Sequence, residues 1–305
     1  MKKYIVYGLN YEDEARELGS LVNAEVLNVK HKIFPDGERY LRIEHAEKLS
    51  NSVAIVVNTM FPNQNDSLVE TLMLINAARK ANASKVIAVI PYLAYARQDK
   101  VFLSGEPVSA ELVVKSLRMS GADVLITVDV HSPAILEHFD GIAVNLLVSR
   151  ELVEKALEYL ENPVVIAPDK GALERARYAA ENLGLEYDYL VKHRDRETGI
   201  VKIEPKEASV SGRDVVIVDD IISTGGTIAE ASKLLLSIGA RKIVVAATHG
   251  LLVGSALDKL RKAGVYRVLL ANTVGVKYED PLVEYVDILR VIADKLGSII
   301  EKQEK

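Results

Sequence analysis

Val215-Val216-Ile217-Val218-Asp219-Asp220-Ile221-Ile222-Ser223-Thr224-Gly225-Gly226-Thr227 is the stretch from which the fold is read. Its first four residues form an unbroken β-branched run, the pattern of a strand buried on both faces of a parallel sheet. Two carboxylates follow, and a Thr-Gly-Gly-Thr turn then opens a helix. Glycines let backbone N–H groups and threonine hydroxyls crowd round a phosphate at the positive helix end, while Asp219 and Asp220 can accept hydrogen bonds from adjacent sugar hydroxyls. In outline this is a phosphosugar site, because an acidic pair is out of place beside a bare anion. The plainer alternative is an acidic strand end capping an ordinary β-turn-α unit.

Outward from this stretch, apolar strands alternate with amphipathic helices, which predicts an α/β fold with mainly parallel sheets flanked by helices. In the first half, Val53–Val57 reads as a strand, Asp66 as the cap of a helix whose Leu68, Leu72 and Ile75 share a face, and 86–90 as the next strand. A helix over Ser109–Met119 and a strand over Val124–Val128 complete a βαβαβ unit. In the second half, strand 164–167 leads to a helix ending near Gly184. The Val215 strand leads through the glycine turn to a helix carrying Ile228, Ala231, Leu235 and Ile238, with Gly239 as its stop. Strands at 243–247 and 268–270 follow, and 286–301 is helical in pattern. The halves share an order of elements without a residue-level repeat, and only the second carries the glycine turn. At 305 residues the chain suits two domains, and the boundary is expected within 145–150, giving domains 1–146 and 147–305.

Hydrophobic residues make up 49% and charged residues 27%, ordinary for a folded chain with a substantial core. With 38 basic against 43 acidic residues, net charge −5 and no long basic run, a general nucleic-acid or membrane-surface role has little support. Cysteine is absent, which excludes disulfides, thiol nucleophiles and Cys-ligated metals and fits a cytoplasmic protein. The polar residues Asn10 and Glu12 come too early for a signal-peptide core, and no apolar stretch spans a bilayer, so a soluble, unprocessed chain is expected.

Five further patterns bear on chemistry. Phe34-Pro35-Asp36-Gly37-Glu38 is a turn forced by Pro35 and Gly37 that presents an aromatic face and two carboxylates; it can hold a base, or be a plain surface turn with Phe34 in the core. Tyr95-Ala96-Arg97-Gln98-Asp99-Lys100 follows a buried strand end, where open α/β sheets place ligands, so Arg97 and Lys100 can face a triphosphate or be paired locally. His131, in Asp129-Val130-His131-Ser132, and Asp169, in Pro168-Asp169-Lys170-Gly171, each stand just past a strand. Both are ligand-type residues, though Mg²⁺ favours oxygen over imidazole and a strand-end His or Asp is often structural. Residues 187–194 and 200–204 flank Glu197-Thr198-Gly199 as a β-hairpin whose alternation puts Lys192 and Arg194 on one face and His193 on the other, either a solvated edge or a pair of converging cations. Thr248-His249-Gly250 ends another strand.

Together and in this order, these segments and the glycine turn resemble the ribose-phosphate diphosphokinase family, over residues 34 to 250. The resemblance implies two type I phosphoribosyltransferase-like domains, the last helix packing back on the first. It implies transfer of the β,γ-diphosphoryl group of ATP to the 1-hydroxyl of D-ribose 5-phosphate, giving 5-phospho-α-D-ribose 1-diphosphate and AMP for nucleotide biosynthesis. ATP would be bound by Phe34, Asp36, Gly37, Glu38, Arg97, Gln98, Asp99 and His131, under a mobile loop from Lys100 to Pro107. Ribose 5-phosphate would be held by Arg194, Asp219, Asp220, Ser223, Thr224, Gly225, Gly226 and Thr227. Mg²⁺ would sit on His131 and Asp169, and Lys192 and Arg194 would be catalytic. A homo-oligomer, at least a dimer, is implied, with no nucleic-acid or membrane partner. Two positions depart from many relatives: Val101-Phe102-Leu103 stands where Arg and Lys are common, and Ser223 where Asp is, which keeps a hydroxyl and removes a negative charge beside the phosphate. A transferase that consumes the diphosphate would use the same glycine turn but gives no reason for the Phe34 or Arg97 segments. A non-catalytic partner of an active relative would not need Lys192, Arg194, His131 and Asp169.

Overall fold

The computed structural model describes residues 2–194, 201–205 and 209–301, with the backbone alone at 192–194 and 201–204. The chain divides into two compact units, one of residues 1–146, 273–277 and 289–305, the other of 147–272 and 278–288.

The first unit runs β1 (Lys3–Tyr7), α1 (Glu12–Val22), β2 (Glu25–Val26), β3 (Val29–Ile33), β4 (Arg39–Ile43), β5 (Val53–Val57), α2 (Gln64–Lys80), β6 (Lys85–Ile90), α3 (Ser109–Met119), β7 (Val124–Val128) and β8 (Ile142–Leu146). Among the described residues its main sheet has six strands in the order β2-β1-β5-β6-β7-β8, all parallel. The central runs Val-Ala-Ile-Val-Val of β5 and Val-Leu-Ile-Thr-Val of β7 are buried throughout, as a sheet covered on both faces requires. Strands β3 and β4 stand apart as a two-stranded antiparallel sheet.

The second unit runs α4 (Ser149–Ala156), β9 (Pro163–Ala167), α5 (Leu173–Leu183), β10 (Tyr187–Arg194), β11 (Val201–Pro205), β12 (Asp214–Ile222), α6 (Gly226–Ser237), β13 (Lys242–Gly250), α7 (Ala256–Lys262), β14 (Arg267–Ala271) and β15 (Val283–Val286). Its sheet order is β11-β10-β9-β12-β13-β14-β15, parallel except for the β10–β11 hairpin. The expected α/β class with parallel sheets flanked by helices is therefore met. Residues 273–277 run in the first unit, where the Thr59 hydroxyl donates to the Thr273 carbonyl (2.6 Å) and the Gly275 N–H to the Phe61 carbonyl (3.0 Å). The last helix, α8 (Leu289–Glu301), packs on α1.

Four local readings need correction. Asp66 is not the cap of α2: the helix starts at Gln64, and the Asp66 carboxylate meets Arg39 instead. The buried stripe of α2 is Ser67, Glu70, Thr71, Leu74, Ile75 and Ala78, with Leu68 and Leu72 only half-buried, because the β3–β4 hairpin covers part of the helix that the main sheet does not. Ile238 lies beyond the end of α6 and is exposed, and Val286 ends strand β15 while the last helix begins at Leu289.

Candidate active site

In the second unit, β9 and β12 are neighbours, while the chain leaves β9 to one side through β10 and continues from β12 to the other through β13. Ligands of open α/β sheets bind outside the carboxyl ends of strands at such a reversal. The Val215–Val218 run is fully buried and carries Asp219 and Asp220 to this edge. Ser223 and Thr224 then turn the chain into α6 at Gly225 and Gly226. Gly225 has φ +73°, a backbone conformation that favours glycine, and a Cβ there would stand 3.2 Å from the Ala256 carbonyl oxygen, a tight contact. The turn is held by the Val253 N–H on the Ser223 carbonyl (2.9 Å) and by Lys259 Nζ on the Thr224 carbonyl (3.1 Å). Beyond it, Gly226 and Thr227 begin a twelve-residue helix, whose first N–H groups have no intrahelical acceptor and offer themselves to an anion.

The two carboxylates are not equivalent. Asp220 is buried and faces the buried Arg175 of α5, Oδ2 to Nη2 at 3.5 Å. Asp219 is half-buried, and its Oδ1 accepts from the Asp220 N–H at 2.9 Å. Burial first, and the Asp220 charge second, push the Asp219 carboxyl well above the ordinary aspartate value, with Arg175 opposing. Arg175 was not singled out from the sequence. Its one sequence signal is its place on the inner stripe of α5 with Ala176, Ala179 and Ala180, where an arginine needs a buried partner.

Asp169 stands two residues past β9, the strand that pairs with β12. Its Oδ1 accepts from the Gly171 and Ala172 N–H groups at 2.8 and 3.2 Å, and Oδ2 takes no hydrogen bond among the described residues. The strands bearing Lys192 and Arg194 pair as expected, Lys192 with Ile203 and Arg194 with Val201, but those side chains and the turn at 195–200 lie outside the described residues. His249 is buried on β13 beside Ile221.

In the first unit, Phe34 to Glu38 is the tip of the β3–β4 hairpin. The Phe34 N–H donates to the Glu38 carbonyl (2.8 Å), and the Glu38 N–H donates to Asp36 Oδ1 (3.1 Å). Gly37, at φ +96°, makes the turn possible. Phe34 is outside the core: its ring is half-buried, with Lys32 Nζ 4.7 Å from its centroid and Tyr40 edge-on at 6.0 Å. Arg97 is exposed and makes no ion pair or hydrogen bond among the described residues. Gln98 is partly committed, since Ser109 Oγ donates to its Oε1 at 2.6 Å, and Asp99 is half-buried. In the following loop the Glu106 carboxylate accepts from both the Phe102 and Leu103 N–H groups (2.9 Å each), leaving Val101, Phe102 and Leu103 exposed. His131 is exposed, just past buried Asp129. Beside the Arg97 segment lies a polar cleft of about 460 Å³ lined by Asn63, Gln64, Asn65, Asp66, Tyr92, Ala94 and Tyr95.

Each unit thus gathers its own candidates: the base-type turn, Arg97 to Asp99 and His131 in the first, the sugar and phosphate residues and Asp169 in the second. Among the described residues no three His, Asp or Glu side chains converge as a protein-only metal cage. An uncommitted Asp169 oxygen fits Mg²⁺, which takes one or two carboxylates and otherwise keeps water and substrate phosphates.

Comparison with known proteins defines the class first. Residues 144–280 match the phosphoribosyl transferase domain, and residues 4–121 match the N-terminal domain of ribose phosphate pyrophosphokinase. The chain is 40% identical over 281 residues to a ribose-phosphate pyrophosphokinase of Sulfurisphaera tokodaii, covering 92% of this chain and 95% of that one. It is 45% identical over 252 residues to the enzyme of that name from Pyrococcus furiosus, covering 82% and 88%. A crystal structure of phosphoribosylpyrophosphate synthetase from Mycobacterium smegmatis matches with a TM-score of 0.90 at 28% identity, covering 99% of this chain and all of that one. The chain belongs to the ribose-phosphate pyrophosphokinase family.

Proposed function

We propose that this chain transfers the β,γ-diphosphoryl group of ATP to the 1-hydroxyl of ribose 5-phosphate, releasing AMP. The observation that carries the reading is the glycine turn after β12, which puts an acidic pair and the open N-terminus of α6 at the sheet's reversal point, in a chain of this family. Ser223 to Thr227 bind the 5-phosphate through N–H and hydroxyl groups. Asp219 and Asp220 accept hydrogen bonds from the ribose hydroxyls and orient them. The 1-hydroxyl attacks the β-phosphorus in line, AMP departs from the opposite side, and no covalent enzyme intermediate is needed. Arg97 binds the triphosphate, and Phe34, Asp36 and Glu38 hold the base. Lys192 and Arg194 neutralise charge on the transferred group. Asp169 and His131 are the residues that would hold Mg²⁺, which supplies charge neutralisation at the phosphate oxygens when bound.

In this reading the working enzyme is a cytoplasmic homo-oligomer, at least a dimer. Among the described residues no helix is long and apolar enough to cross a membrane. Replacing Lys192 with Ala is expected to lower kcat about a hundredfold while the KM for ribose 5-phosphate holds, with AMP release as the readout. Lost sugar affinity with intact turnover would contradict its role, and release of ADP by the unaltered enzyme would contradict diphosphoryl transfer.

A further inference from the structure

Asp169 caps a single turn, Lys170 to Ala172, that leads directly into α5, and its Oδ1 accepts from the Gly171 and Ala172 N–H groups. Arg175, in the first turn of α5, reaches in two directions from there. Its Nη1 donates to the Gly171 carbonyl at 3.3 Å, and its Nη2 stands 3.5 Å from Asp220 Oδ2 near the end of β12. Asp220 is joined in turn to Asp219, whose Oδ1 accepts from the Asp220 N–H at 2.9 Å. The Arg175 and Asp220 side chains are only 9% and 8% exposed, so bulk water does not stand in for their contact. The backbone beneath the guanidinium is pinned as well, since the buried Ser149 hydroxyl at the start of α4 donates to the Arg175 carbonyl at 2.9 Å. Two segments about fifty residues apart, the turn that presents Asp169 and the acidic pair of β12, are therefore linked through one side chain. A guanidinium is planar, with its donors in a rigid fork, so its two arms cannot be placed independently.

We propose that Arg175 is a positioning residue that holds the Asp169 turn and the Asp219–Asp220 pair in fixed register, so that one buried side chain sets both the affinity for ribose 5-phosphate and the requirement for Mg²⁺. This rests on the reading of the acidic pair as the sugar site and of Asp169 as a residue that would hold Mg²⁺. The arm toward Asp220 needs only a positive charge nearby, whereas the arm toward Gly171 is a directed hydrogen bond to the residue whose own N–H is bound by Asp169. Groups that orient a metal-binding carboxylate act on metal affinity without touching the metal.

The test uses the full-length enzyme and two readouts. AMP release gives the KM for ribose 5-phosphate, the KM for ATP and the Mg²⁺ concentration for half-maximal rate. Calorimetric titration of ribose 5-phosphate, and separately of Mg²⁺, in the presence of α,β-methylene-ATP gives the same affinities without turnover, because the bridge that would break is a CH₂ group. Arg175→Met is expected to weaken both ribose 5-phosphate and Mg²⁺ about tenfold in each readout. Arg175→Lys keeps a charge toward Asp220 but replaces the fork by a single ammonium group. It should hold ribose 5-phosphate within about twofold of the unaltered enzyme while the Mg²⁺ requirement stays about tenfold higher. The KM for ATP at saturating Mg²⁺ should not move in either. Should Arg175→Met fail to fold, Arg175→Lys decides alone through this split. Arg175→Lys changing both affinities equally or neither, or Arg175→Met lowering only the urea midpoint, would overturn the proposal. Asp220→Asn and Asp169→Asn, measured alongside, separate the two readings. If the first leaves the affinity for ribose 5-phosphate unchanged and the second the Mg²⁺ requirement, the site reading fails and this inference with it; if they shift those quantities and the Arg175 variants do not, only the positioning role fails.

Discussion

Gly225 carries two constraints at once, a left-handed backbone and a neighbouring carbonyl at 3.2 Å. Gly225→Ala is expected to cost about 1–2 kcal/mol from the backbone conformation alone, seen as a lower urea midpoint, and to raise the KM for ribose 5-phosphate because the N–H groups of the turn are displaced. An unchanged midpoint and KM would contradict the assignment. The neighbouring acidic pair predicts a pH dependence. A carboxyl whose folded titration is raised makes the folded state bind the proton more tightly, so that stability is present below the ordinary aspartate value and lost as pH rises through the raised one. Asp219→Asn should therefore raise Tm at neutral and alkaline pH and change it little at acid pH, the reverse of what a stabilising ion pair would give. Arg175→Met leaves Asp220 buried beside Asp219 without its cation, and should cost about 3–5 kcal/mol in urea denaturation; a loss below about 1 kcal/mol would mean that the 3.5 Å pair is incidental.

At the scale of elements, what the sequence made legible was what is buried on both faces. Strands β5 and β7 and helix α3 fall where the apolar runs and helical spacing put them, because no other element type accommodates five consecutive core residues so short of a helix. The β3–β4 hairpin escaped the same reading except for its turn. Its inward face pairs Val29, His31 and Ile33 with Ile43, Leu41 and Arg39, an apolar alternation broken on each strand by a charged or titratable residue, so that the period of two is masked. The buried Glu70 was hidden for a related reason: its burial comes from a partner more than twenty-five residues earlier, His31, which helical periodicity cannot see. Strand β15 is short and lies at a sheet edge, and Val286 suits the end of a strand as well as the start of a helix. The site divides in the same way. Asp169, Asp219, Asp220 and the glycine turn are adjacent in sequence to strands, so their place at the strand ends was legible, whereas Arg175 meets Asp220 through a contact that only the folded chain creates.

For the whole molecule, each unit is built on an open, mainly parallel sheet, and each gathers its own set of candidate residues. Base and triphosphate candidates belong to the first, sugar, phosphate and carboxylate candidates to the second. A transferase that joins ribose to a base would need only the second, so the account stands or falls on diphosphoryl transfer. An active species that light scattering finds to be a monomer would remove the expected oligomer while leaving the chemistry intact. The most direct measurement is ³¹P NMR of the full-length protein with ATP, Mg²⁺ and ribose 5-phosphate, against a control without the sugar. The account predicts AMP and a new sugar 1-diphosphate, appearing together and only when ribose 5-phosphate is present. ADP with a singly phosphorylated sugar, or no turnover by the folded, magnesium-replete enzyme, would contradict it.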